Sequence, residues 1–118
     1  MRAVLLGSIA LLAPLCLAAA KVPDCSGRNR WSTRIAYQFL KNAGLTNDDR
    51  IAYERTETKR LAVQPIGKDL WRQIQHIRFV ETSGKSIEVI TDSEFSSEEC
   101  SMGDVRVYVI SRYLDGKR

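Results

Sequence analysis

Residues 76–90, HIRFVETSGKSIEVI, constrain this chain more than any other stretch, because the pairing of a hairpin can be worked out from them by side-chain type. Take Thr82, Ser83 and Gly84 as a three-residue loop, with Gly84 at the position that needs positive φ. Glu81 then faces Lys85, Phe79 faces Ile87, Arg78 faces Glu88 and Ile77 faces Val89. Two opposite-charge pairs and two apolar pairs result, each of a kind that stabilises facing strands. A two-residue loop would instead set Phe79 against Glu88 and Arg78 against Val89. The hydrophobic pattern selects the first register.

The N-terminus sets the expected compartment. Met1 and Arg2 precede an almost wholly apolar run from Ala3 to Leu17, which ends in Ala18, Ala19 and Ala20. A positive start, an apolar centre and a small-residue cleavage site read as a secretory signal peptide over residues 1–20. The apolar run is about 15 residues, short of the ~20 that span a bilayer. Cys16 could begin a lipoprotein signal, but Leu15 before it is not small. The expected address is export, with the bacterial periplasm as compartment and the extracellular space as alternative. Residues 21–118 then form one small domain with no transmembrane segment.

That domain keeps two cysteines, Cys25 and Cys100, which in an exported chain read as a disulfide. The alternatives are free buried thiols, a redox pair or a metal site. A redox pair is expected as Cys-x-x-Cys, and two cysteines with the lone His76 are too few for zinc. No cofactor or metal is implied. With Arg2 in the leader, 17 of the 18 Lys and Arg remain against 14 Asp and Glu, a formal charge of about +3. Such mild positive charge permits an acidic protein partner. Nucleic acid is not expected, because no cluster of like charge is long enough.

In chain order, residues 21–31 read as an extended lead-in tied down by the disulfide. Residues 32–43 read as a helix, with Ser32 as cap and Gly44 at the C′ position. Ile35, Ala36, Phe39, Leu40 and Ala43 recur at helical spacing, with Trp31 one turn earlier, as a stripe that should lie on a sheet. Arg34, Gln38 and Lys41 fall on the other side. Residues 50–66 read as one long strand, or two interrupted near Thr58 and Lys59, and Pro65 marks an edge or terminus. Residues 69–75 are open to two readings, a helical turn capped by Asp69 or a strand starting at Leu70 and Trp71 that continues into the hairpin, and a short turn feeding the strand is preferred. The hairpin arms run over residues 73–81 and 85–91, the second reaching toward Phe95. A polar loop over 96–104 leads to a strand over 105–110, which Arg112, Tyr113 and Leu114 could extend.

Short connections favour an antiparallel meander, so the expected fold is α+β, one N-terminal helix on about four strands with one disulfide. Helix first and meander after resembles the layout of cystatin-like and similar α+β rolls. The sequence holds no inhibitory loop motif of that family, so the resemblance carries layout and not function.

Candidates for chemistry are few. His76, Arg78 and Glu88 share one face of the hairpin. Such a trio suits phosphodiester transfer, with Glu88 as base, His76 as acid and Arg78 neutralising phosphate. It is similar in type to the trio of small secreted microbial ribonucleases, whose signature segments are absent here. A strand histidine beside a cross-strand ion pair explains the same residues. Gly-x-Ser-x-Gly is absent. The loop with Ser96, Ser97, Glu98, Glu99 and Ser101 lacks the spacing of a calcium loop. Arg30 and Arg34 near the helix start, and Arg106 and Arg112 on the last strand, are candidates for contact with an acidic partner. The expected function is therefore an exported, non-enzymatic binding protein of inhibitor or immunity type. The alternative is a small hydrolase using His76, Glu88 and Arg78.

Overall fold

A computed structural model describes residues 21–110. The expected signal segment, Arg112 and the expected strand extension over 112–114 lie outside them. Within them α1 spans Trp31–Asn42, β1 Glu57–Gly67, β2 Leu70–Val80, β3 Ser86–Phe95 and β4 Met102–Ile110. The strands form one antiparallel sheet in the order β1-β2-β3-β4, and α1 lies across β3 and β4. The α+β meander under an N-terminal helix is thus what the chain adopts, and Cys25 is bonded to Cys100.

The hairpin register is the expected one: Ile77 pairs with Val89, Arg78 with Glu88 and Phe79 with Ile87. Gly84 takes φ 97°, and Glu81 N–H donates to the Lys85 carbonyl at 2.8 Å. The turn is confined to Lys68 and Asp69, and β2 begins at Leu70, so residues 70–75 are strand and not a helical turn. The expected long strand over 50–66 needs correction. Its first half is a single bridge between Ile51 and Glu81 and a 3-10 turn at Tyr53–Arg55, and the strand proper begins at Glu57. A bulge between Arg60 and Ala62 shifts its register.

The C-terminus of α1 closes as expected at Gly44, φ 76°. Gly44 N–H donates to the Lys41 carbonyl and Leu45 N–H to the Leu40 carbonyl, which together satisfy two helix-end acceptors. The N-terminus differs. Arg30 is the N-cap residue, with no side-chain cap, and Ser32 is buried inside the first turn. The buried stripe is accordingly rotated. Ser32, Thr33, Ala36 and Leu40 face the sheet, while Trp31 and Phe39, 39% and 46% exposed, lie on a flank and Ala43 is exposed.

The cause of that rotation lies in the sheet. Alternate residues of β2 and β3 face the helix: Ile77, Phe79 and Val89 at one end, Gln73, Gln75, Thr91 and Ser93 at the other, all buried. Ala36 and Leu40 join Ile51, Ile77, Phe79 and Val89 in the apolar cluster. The polar end requires polar partners, because an unpaired buried amide costs about 1–3 kcal/mol. Gln75 Nε2 donates to Ser32 Oγ at 2.6 Å, and Gln73 Nε2 to the Cys25 carbonyl at 3.0 Å. Arg60 Nε donates to Gln73 Oε1 at 3.0 Å and its Nη2 to the Pro23 carbonyl at 3.3 Å. The lead-in is therefore held by the disulfide and by three hydrogen bonds running through Gln73 and Arg60.

Candidate functional site

The uncovered face of the sheet carries His76, Arg78 and Glu88, as their alternation requires. Their side chains are not arranged as a catalytic trio around a shared point. His76 Nε2 lies 2.7 Å from Glu88 Oε1. Arg78 turns across to the neighbouring strand, its Nη1 3.3 Å from Glu57 Oε1. Each of the three is engaged in an ordinary cross-strand contact on an open, solvated surface. The same face holds a tighter network, in which Arg72 donates to both Asp92 oxygens at 2.9 and 2.7 Å and Arg106 to Asp92 Oδ2 at 3.2 Å. The Arg72 hydrogen bonds, more than any other influence, hold the Asp92 carboxyl below the usual carboxylate range.

The arginines expected to contact a partner are not brought together. Arg106 lies on the uncovered face with Asp92, and Arg112 is outside the described residues. Arg30 approaches Asp24 at 3.6 Å. Arg34, one turn into α1, is exposed and makes no salt bridge or side-chain hydrogen bond among the described residues.

Arg34 stands at the centre of two adjoining grooves on the outer side of α1. One, of about 440 Å³, is lined by Asn29, Arg34, Tyr37, Gln38, Lys41 and Tyr53. The other, of about 510 Å³, shares Asn29, Arg34 and Gln38 and adds Trp31 and Ile35. Helical spacing produces this arrangement. Arg34 and Gln38, four apart, form the outer ridge, with Tyr37 and Lys41 on one flank and Trp31 and Ile35 on the other.

The Tyr37 flank is rigidly built. The Tyr37 ring meets Tyr53 at 5.1 Å and Phe79 at 5.9 Å between centroids, which anchors it to the core. Tyr37 Oη donates to Asp48 Oδ1 at 2.5 Å, and Lys41 Nζ donates to the same oxygen at 3.1 Å while lying 4.5 Å over the Tyr37 ring. Tyr53 Oη donates to the Arg28 carbonyl at 2.5 Å, and Arg28 in turn donates to the Glu54 carbonyl. Burial first, then the Asp48 contact, pushes the Tyr37 hydroxyl well above its ordinary range; burial raises Tyr53 as well, against the opposing charges of Arg34 and Arg28. The Tyr37 hydrogen bond and then Lys41 hold Asp48 low. Both phenols stay neutral donors over the physiological range, and the groove offers a free guanidinium, an amide pair and aromatic walls.

The residue pattern pointed to Arg34 but not to Tyr37, Tyr53 or Lys41. Tyr37 sits outside the apolar stripe, and Tyr53 falls in a stretch that reads as strand. The Tyr37–Lys41 spacing of four was the available signal. A second recess, about 630 Å³ and mostly apolar, lies near the disulfide end against Val22, Pro65 and Trp71. Its carboxylate, Asp69, is already bonded to Ser97 through both oxygens. No group of three His, Cys, Asp or Glu among the described residues is placed to hold a metal ion. No helix among them is long and apolar enough to cross a membrane. Comparison with known protein families, curated proteins and solved structures found no match.

Proposed function

We propose that the protein is an exported, non-enzymatic binding protein of inhibitor or immunity type, and that it takes an acidic segment of a partner protein on the outer face of α1. The observation that carries this is the Arg34 guanidinium, unengaged among the described residues, between two grooves of which one has a firmly held aromatic wall of Tyr37 and Tyr53 and the other presents the exposed Trp31. Arginine with tyrosine and tryptophan is the composition of binding hot spots. A partner Asp or Glu can meet Arg34 through two parallel hydrogen bonds, with Gln38 and Asn29 beside it to complete the contact. The mild positive charge of the domain favours approach of such a partner.

The phosphodiester reading gains no comparable support, since Glu88 is held by His76 and Arg78 by Glu57. The test is affinity capture from an envelope extract of the producing cells, with wild type, Arg34→Glu and His76→Ala as baits. Capture of one acidic protein by wild type and His76→Ala, and its loss with Arg34→Glu, is the expected result. Equal capture by Arg34→Glu, or RNA cleavage by the purified protein that His76→Ala abolishes, would overturn the reading.

A further inference from the structure

The two edges of the sheet are unlike. β1 is blunted as edge strands usually are: it carries Lys59 and Pro65 and is bulged at two places, between Arg60 and Ala62 and between Pro65 and Gly67. β4 has none of these devices from Val105 onward. Its pairing with β3 runs without a shift from Arg106 to Ile110, and no described strand pairs with its outer side. Tyr108 and Val109 are 56% and 46% exposed there. The helix adds to the same edge. Tyr37 leans toward Tyr53 and Phe79, so the opposite flank of α1, with Ile35 and the exposed Phe39, lies on the β4 side.

We infer that the β4 edge pairs with β4 of a second copy of this chain, antiparallel about a two-fold axis at Val107. The registers can be compared residue by residue; one centred on Tyr108 pairs Val107 with Val109 but sets Arg106 against the apolar Ile110. Centring the pair on Arg106 sets Arg106 against itself, which is repulsive. Centring it on Val105 gains Arg106 against Asp104 but sets Val107 against Gly103, which has φ 74°, and leaves Val109 facing Ser101, so its only facing apolar β-branched pair is Val105 with itself. Centring it on Val107 pairs Val107 with itself and Val105 with Val109 twice, all on the helix side. On the uncovered side it sets Arg106 against Tyr108 of the other copy, twice, a cation–aromatic pair for a guanidinium that Asp92 leaves largely exposed. The interface is isologous, so every favourable pair occurs two times. The joined sheet has both helices on one face, with the two Phe39 flanks turned toward the seam. The Tyr37 flank points away from it. This inference stands apart from the partner proposal and rests on a different edge of the molecule.

Sedimentation velocity on the purified, oxidised protein across a concentration series tests it. A reversible monomer–dimer equilibrium is expected for wild type, with Leu61→Lys on β1 unchanged and Val109→Lys monomeric. Val107→Cys fixes the register independently of that variant. On oxidation it is expected to give a disulfide-linked dimer, because directly facing strand positions lie within bridging distance. A wild type that stays monomeric throughout, loss of the dimer in Leu61→Lys, or no linked dimer from Val107→Cys would overturn the inference.

Discussion

Arg78 and Glu88 are Cα partners in the β2–β3 ladder, yet their charges do not meet: Arg78 reaches Glu57 at 3.3 Å and Glu88 takes His76 at 2.7 Å. His76 is thereby a cross-strand partner on a solvated face, with its side chain 30% exposed. Exposed pairs of this kind contribute about 0–1 kcal/mol. His76→Ala and Glu88→Ala are each expected to change unfolding stability by less than about 1 kcal/mol in urea titration. Neither should alter partner capture. A loss of several kcal/mol in either would show that the pair is worth far more than its exposure allows.

The rotated face of α1 gives a sharper contrast. Leu40 is 1% exposed within the apolar cluster and Phe39 is 46% exposed beside it in sequence. Leu40→Ala is expected to cost about 3 kcal/mol, and Phe39→Ala less than about 1 kcal/mol in monomeric protein. Urea unfolding at low protein concentration measures both. Equal costs would return Phe39 to the core stripe.

Acid sensitivity should centre on Asp92. Its carboxyl, 8% exposed, is lowered mainly by the Arg72 hydrogen bonds. A carboxyl with a lower pKa folded than unfolded contributes stability above its unfolded value, near ~3.9, and loses it as pH falls through the folded value. Asp92→Asn is expected to cost about 1–2 kcal/mol near neutral pH. The gap from wild type should narrow as pH drops below about 4. Urea midpoints over that range check the sign, and a gap that widens in acid would contradict it.

The disulfide closes a loop with a sequence separation of 75. Chain entropy for a loop of that size corresponds to about 4 kcal/mol. The Cys25→Ser, Cys100→Ser double variant is expected to lose stability of that order in urea. The hydrogen bonds of Gln73 and Arg60 to the lead-in should loosen with it, read as faster exchange of the Gln73 side-chain amide protons, which donate to the Cys25 carbonyl. Unchanged exchange there would mean those hydrogen bonds hold the segment alone.

Much of this fold was legible because period-two patterning and one glycine leave the hairpin little choice. Ile77, Phe79, Ile87 and Val89 face as expected, and Gly84 takes the positive φ assigned to it. The two charge pairs that supported the same register did not form as side-chain contacts. Glu81 is buried against Thr46, at 2.9 Å, and Arg50, at 3.4 Å, rather than Lys85. Long polar side chains choose partners diagonally or from a third strand, which pairing within one hairpin does not reveal. The buried face of α1 departs from the apolar stripe for a related reason. Half of the surface it covers is made of Gln73, Gln75, Thr91 and Ser93, so Ser32 and Thr33 outrank Phe39 as inward residues. Of the candidate site, Arg34 was legible from the helical period. The aromatic wall was not, because it forms only when Tyr53, 16 positions away from Tyr37, folds back beside it.

The most direct test of binding through α1 is photo-crosslinking in the producing cells, with a photoreactive residue placed at Gln38 in the groove or at Gln64 on the far β1 edge. One discrete adduct with an acidic protein from Gln38, none from Gln64, and loss of the adduct when Arg34→Glu is added is the expected result. An adduct from Gln64 alone, or one from Gln38 that survives Arg34→Glu, would contradict it.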